Sequence, residues 1–79
     1  MNYSGEGYSI NISRLSLRYI NDGKEVKVPI ENGGGIIGVL LSELLQWSDG
    51  SYVKPDEKPQ IKRHIQKACD QLSIDVEFS

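Results

Sequence analysis

Cysteine and histidine are each present once in these 79 residues, as Cys69 and His64, and tryptophan once, as Trp47. A lone cysteine forms no internal disulfide, and without a C-x-x-C pair the chain lacks the ligand spacing of a zinc site, so a reducing, cytoplasmic setting is expected and no metal. Long hydrophobic runs are also missing. The longest is broken by Gly38 and over by Ser42, well short of the about 20 residues that a membrane span needs. The opening MNYSGEGYS has no basic start and no apolar stretch, so no signal peptide is expected. Nor is there an excess of positive charge. Nine basic against eleven acidic residues give a net charge of -2, which offers no general attraction to phosphate backbones.

What remains is the composition of an ordinary folded domain, 38% hydrophobic and 25% charged, read as a single domain over residues 1–79 with residues 1–7 as a flexible N-terminus. Tyr8, Ile10 and Ile12 alternate with small polar residues as a half-buried strand does, and Leu15, Leu17 and Tyr19 alternate on the other parity. The switch at Ser13-Arg14 fits a bulge in one bent strand, or a tight turn pairing 12 with 15, 10 with 17 and 8 with 19. The bulge is favoured, because neither residue takes the positive φ of a two-residue loop readily. Asp22-Gly23 is a stronger signal for a type I′ hairpin, which would pair Tyr19 with Val26, Leu17 with Val28 and Leu15 with Ile30 on one apolar face. Arg18 then lies opposite Lys27. Pro29 cannot donate a ladder hydrogen bond, so the strand ends near it or is unpaired on one side there.

Gly33, Gly35 and Gly38 satisfy the G-x-G-x-x-G spacing of a dinucleotide-binding turn. The residues after them argue otherwise. Ile36, Ile37 and Val39 suit a buried strand better than a helix, and the positive end of a helix must follow the glycines directly to hold a pyrophosphate. Residues 32–35 are therefore read as a turn with positive φ, and no nucleotide or other cofactor is expected. Ser42 and Glu43 read as the cap and acidic first turn of a short helix through Leu44, Leu45 and Trp47. A polar loop, WSDGSYVKPDEKP, follows. Ile61, Ile65, Ala68 and Leu72 then recur at helical spacing, with Asp56 or Glu57 at the start as a cap and Pro59 tolerable only in the first turn. Ile74, Val76 and Phe78 alternate as a last strand.

The expected architecture is α+β: an antiparallel β-sheet, element order β-β-β-β-α-α-β, with the main helix packed on one face. Catalytic chemistry has few candidates. His64 and Cys69 are five positions apart, so on one helix they point about 140° away from each other. His64 is assigned to a solvated flank and Cys69 to apolar packing, and the chain is read as not an enzyme. Lys58, Lys62, Arg63 and Lys67 give the main helix a basic flank, which supports a secondary reading as a nucleic-acid-binding adaptor, against which the negative overall charge counts.

YINDGKEVKVPIE, the apolar strand entering SELLQW, and IKRHIQKACDQLSIDVEF together resemble a family of small bacterial immunity proteins of polymorphic and contact-dependent toxin systems. The resemblance runs over residues 8 to 78, through Tyr19, Gly23-Lys24, Glu31, Trp47, the Ile61/Ile65/Ala68 stripe and Ile74-Val76. The chain departs from the pattern at His64, where Asn is expected, and at Ser73, where Gly is expected. The resemblance implies a non-enzymatic protein that neutralises one cognate toxin by stoichiometric protein-protein interaction, without membrane or small-molecule substrate and with its oligomeric state open. The candidate partner-binding residues are Trp47, Asp49, Tyr52, Asp56 and Glu57, the acids standing in for substrate phosphates if the toxin is a nuclease.

Overall fold

The computed structural model describes residues 1–79. Six strands form one sheet in chain order: β1 (Asn2–Ser4), β2 (Tyr8–Ile12), β3 (Ser16–Asn21), β4 (Lys24–Gly33), β5 (Ile36–Val39) and β6 (Asp75–Phe78). Neighbours pair antiparallel as far as β5, but β5 and β6 are parallel. The sheet is thus mixed rather than antiparallel. Its last strand is reached through the only α-helix, α1 (Glu57–Gln71), and a chain that crosses over in this way returns in the same direction. Helix α1 touches β1, β2 and β6. A flat sheet would hold its two edges about 24 Å apart, more than twice a helix diameter, so contact with both edges requires the sheet to curl around α1.

The alternation in the sequence becomes the inner face. Tyr8, Ile10, Ile12, Leu17, Tyr19, Val26, Val28, Ile30, Ile37 and Val39 are buried against Ile61, Ile65, Ala68 and Cys69 of α1. Asp22 and Gly23 both take positive φ, 53° and 78°, and the register follows, Tyr19 to Val26 and Leu17 to Val28, with Arg18 opposite Lys27. Gly34 and Gly35 repeat the device at 58° and 92°, pairing Gly33 with Ile36. The glycines therefore close a hairpin, and no helix begins there.

Several expectations are corrected. Residues 2–4, assigned to a flexible segment, form β1 on the edge beside β2. Ser13-Arg14 is neither a bulge nor a two-residue turn. The chain reverses over residues 13–16, where Ser13 donates N–H and Oγ–H to the Ser16 carbonyl at 2.9 and 3.0 Å, and Ile12 pairs with Leu17 and Ile10 with Tyr19. This longer reversal changes parity without a left-handed residue, and it leaves Leu15 75% exposed, outside the apolar face expected to hold it. Of the two expectations for Pro29, the unpaired side holds and the strand end does not, since β4 runs on to Gly33. The Ile30 N–H points to β3, donating to the Leu15 carbonyl, so the Pro29 nitrogen faces the β5 side, where pairing is already ending at Leu40. The short helix at Ser42 is a 3-10 turn, Leu41–Glu43, with no side-chain cap; burial of Leu44 and Trp47 draws the chain onto the core before a helix can continue. Asp56 occupies the position before α1 but makes no capping bond. Glu57 Oε1 instead reaches back to accept the Lys54 N–H, ahead of the helix, at 2.9 Å.

Helix α1 ends in a Schellman motif: the Ile74 N–H donates to the Cys69 carbonyl at 2.8 Å and the Ser73 N–H to that of Asp70 at 3.3 Å. Ser73 accordingly sits at φ 58°, where a side chain costs roughly 1–2 kcal/mol. Ser73→Gly is expected to raise stability by about 1 kcal/mol, after the extra entropy glycine brings to the unfolded chain. The urea midpoint measures it, and no increase would show that the turn is unstrained.

Candidate functional site

Residues 44–56 carry most of the candidate residues, and the segment is built rather than slack. Trp47 and Ser51 pair through a 2.8 Å bond from N–H to carbonyl, the Val53 N–H reaches the Leu45 carbonyl at 3.0 Å, and Gly50, at φ 90°, closes the tip. The Ser48 N–H then ties the loop to β4 through the Glu25 carbonyl at 2.7 Å. Asp49 Oδ1 accepts both the Ser51 hydroxyl, at 2.6 Å, and the Ser51 N–H, at 2.9 Å. Those two bonds, aided by the charge of Lys24, hold the Asp49 carboxyl below the usual carboxylate range.

Trp47, one of the expected contact residues, is buried at 5% exposure and anchors the loop. The ring lies 6.2 Å from that of Tyr19, and Lys24 Nζ sits 5.5 Å from its centroid. Tyr52 is the opposite case: 75% exposed, on the same loop as Leu45 at 60%. Asp49 and Asp56 are also exposed. The structure brings Trp47 and Glu57 together in one concavity of about 370 Å³, whose wall includes Asn21, Asp22, Lys24 and Gln60. Asp49, Tyr52 and Asp56 are not part of that wall.

Sequence reasoning missed the group beside this concavity. His64 is half-buried, not on a solvated flank: its ring stacks on Tyr8 at 3.7 Å and 3°, and its Nδ1 lies 2.6 Å from the Tyr19 hydroxyl. Asn21 Nδ2 donates to that hydroxyl at 2.8 Å. With Asn21 already donating to the Tyr19 oxygen, the arrangement that gives all three groups a partner sends the phenolic proton to Nδ1 of a neutral His64 that carries its own proton on Nε2. Burial, then the charges of Arg63 and Lys67, push the histidine down from its ordinary value. Burial pushes the phenols of Tyr8 and Tyr19 up, and Cys69 likewise, with Asp70 adding to the last. The spacing held a clue, since His64 is three residues after Ile61 and four before Ala68, on the apolar stripe.

The basic flank of α1 is partly occupied, Lys62 Nζ lying 5.3 Å from the centroid of the Phe78 ring. No three of the His, Cys, Asp and Glu side chains gather where they could hold a metal ion, and no helix is long and apolar enough to cross a membrane. Compared with protein-family models, with curated proteins and with solved structures, the chain matches none.

Proposed function

We propose that this chain is an immunity protein, one that binds a cognate bacterial toxin through the loop of residues 44–56 and neutralises it by stoichiometric contact. The observation that carries the reading is the exposure of Leu45 and Tyr52 on a backbone already fixed by its own hydrogen bonds and by the buried Trp47. A loop ordered in advance loses little entropy on binding, and tyrosine is among the residue types that dominate interface energies. Asp49 and Asp56 on the same loop and Glu57 at the start of α1 add negative charge, which speeds encounter with a basic surface and, in a nuclease cleft, stands where substrate phosphates would lie. The resemblance in order and spacing to small immunity proteins supports the same reading.

The partner to test is the product of a large toxin reading frame neighbouring the gene. Tyr52→Ala is expected to weaken that complex by about 2 kcal/mol, roughly 30-fold, with the fold unchanged. Replacing Asp49, Asp56 and Glu57 by Asn or Gln is expected to slow association at low salt and to have little effect at high salt. Calorimetry and stopped-flow mixing measure the two effects. Salt-dependent binding to generic DNA or RNA, with no affinity for the neighbouring toxin, would replace this reading with the nucleic-acid one.

A further inference from the structure

The concavity between the β3–β4 turn, Trp47 and the first turns of α1 has a composition that selects a ligand. At about 370 Å³ it lies at the lower end of ligand pockets, with room for a long side chain. Two carboxylates line it, Asp22 and Glu57, and neither is ion-paired, since the one salt bridge of the protein joins Arg18 to Glu25. Asn21 gives one of its two amide N–H groups to Tyr19 and keeps its carbonyl oxygen to offer, and the Gln60 side chain makes no hydrogen bond within the protein. The wall is thus rich in acceptors. Beside them stands the Trp47 ring, which already carries a cation, the ammonium of Lys24. A π face, two carboxylates without an ion pair, one of them with an oxygen already taken by the Lys54 N–H, and amide oxygens are together what a planar cation with five N–H donors requires.

We infer that this concavity is a receptor for an arginine side chain, with the guanidinium stacked on Trp47, hydrogen-bonded to Asp22 and Glu57, and displacing Lys24, which holds the place in the free protein. Only the source of that arginine, a basic partner protein, rests on the reading proposed above. The pocket itself can be tested without a partner.

Trp47 is the only tryptophan, so its fluorescence reports the site. The probes are the N-acetyl methylamides of arginine, of its neutral isostere citrulline, and of lysine. The arginine probe is expected to give a saturable change, about tenfold stronger than citrulline and stronger than lysine. Lys24→Ala is expected to tighten arginine binding several-fold by clearing the ring. Asp22→Asn with Glu57→Gln is expected to abolish it, and both changes keep the fold, because Asn suits the left-handed turn and Gln can still accept the Lys54 N–H. A circular dichroism spectrum identical to the parent's verifies that. Equal affinity for arginine and citrulline, equal affinity for arginine and lysine, or no response to arginine in the Lys24→Ala protein would each overturn the inference. None of these results bears on whether Tyr52 engages a toxin, so the two readings fail separately.

Discussion

Trp47→Ala is expected to remove about 3–5 kcal/mol of stability, out of a total of roughly 4–12 kcal/mol for a chain of this length. The residue is 5% exposed, packs its ring beside Tyr19, and fixes a loop held otherwise by buried Leu44 and Val53 and by the bond from Ser48 to β4. Its indole N–H has no hydrogen-bond partner, so none is lost on truncation, and the cost is that of the emptied volume. Urea unfolding measures the change. Limited proteolysis adds a local reading, because the segment around Tyr52 should become cleavable while the β2–β4 meander remains protected. A loss below about 1 kcal/mol would mean that the core closes without the anchor, and the case for a loop ordered in advance would go with it.

Tyr19→Phe is expected to cost about 1–3 kcal/mol at neutral pH, although it deletes one oxygen and creates no cavity. The oxygen serves two neighbours: it accepts from Asn21 Nδ2 and donates to His64 Nδ1, and both lose their partner in a half-buried place. The same pair gives stability a pH dependence with a definite sign. The histidine is held below its ordinary value of 6.5 in the fold, by burial first and by Arg63 and Lys67 after it, so across that interval the unfolded chain binds more protons than the folded one. Stability from this source is complete above about pH 6.5 and declines as pH falls from there towards the lower folded value. Asp49, also lowered, begins to act only below 3.8. At the alkaline end the sign reverses. Cys69, Tyr8 and Tyr19 are raised, so their stabilisation is present below the ordinary values of 9.0 and 10.0 and is lost as pH rises beyond them. Urea midpoints from pH 5 to 8 should slope for the natural sequence and lie flat for His64→Gln. A slope surviving that substitution would place the titrating group elsewhere.

The strands of the meander were legible because two local rules act on the same residues. Alternation marks Tyr8 to Ile12 and Leu17 to Ile30, and Asp22-Gly23 and Gly34-Gly35 each supply the left-handed pair that a tight hairpin needs. Helix α1 was legible from the spacing of Ile61, Ile65 and Ala68, its span being expected as residues 57–72 and found as Glu57–Gln71. What depends on distant partners was not legible. The parallel pairing of β6 is decided by a crossover, and Ile74, Val76 and Phe78 alternate identically in either direction. Ser42 and Glu43 carry a helix-start signature, yet burial of Leu44 and Trp47 overrides it. The site follows the same division. Tyr52, Asp49 and Asp56 are exposed as a polar loop suggests, whereas Trp47 turned inward, and the bond joining Tyr19 to His64 spans 45 residues, beyond the reach of any local pattern.

The direction of β6 also orders the assembly of the protein. Each of the first five strands meets a neighbour separated from it by a short reversal, so that part of the sheet can zip up from contacts close along the chain. Val39 and Phe78 lie side by side only once residues 40–74 have been gathered into a closed circuit, and that closure carries the largest entropic toll of any pairing in the sheet. Until then the inner margin of β5 is a bare row of amides and carbonyls, and the protein is at its most vulnerable to a stranger's strand.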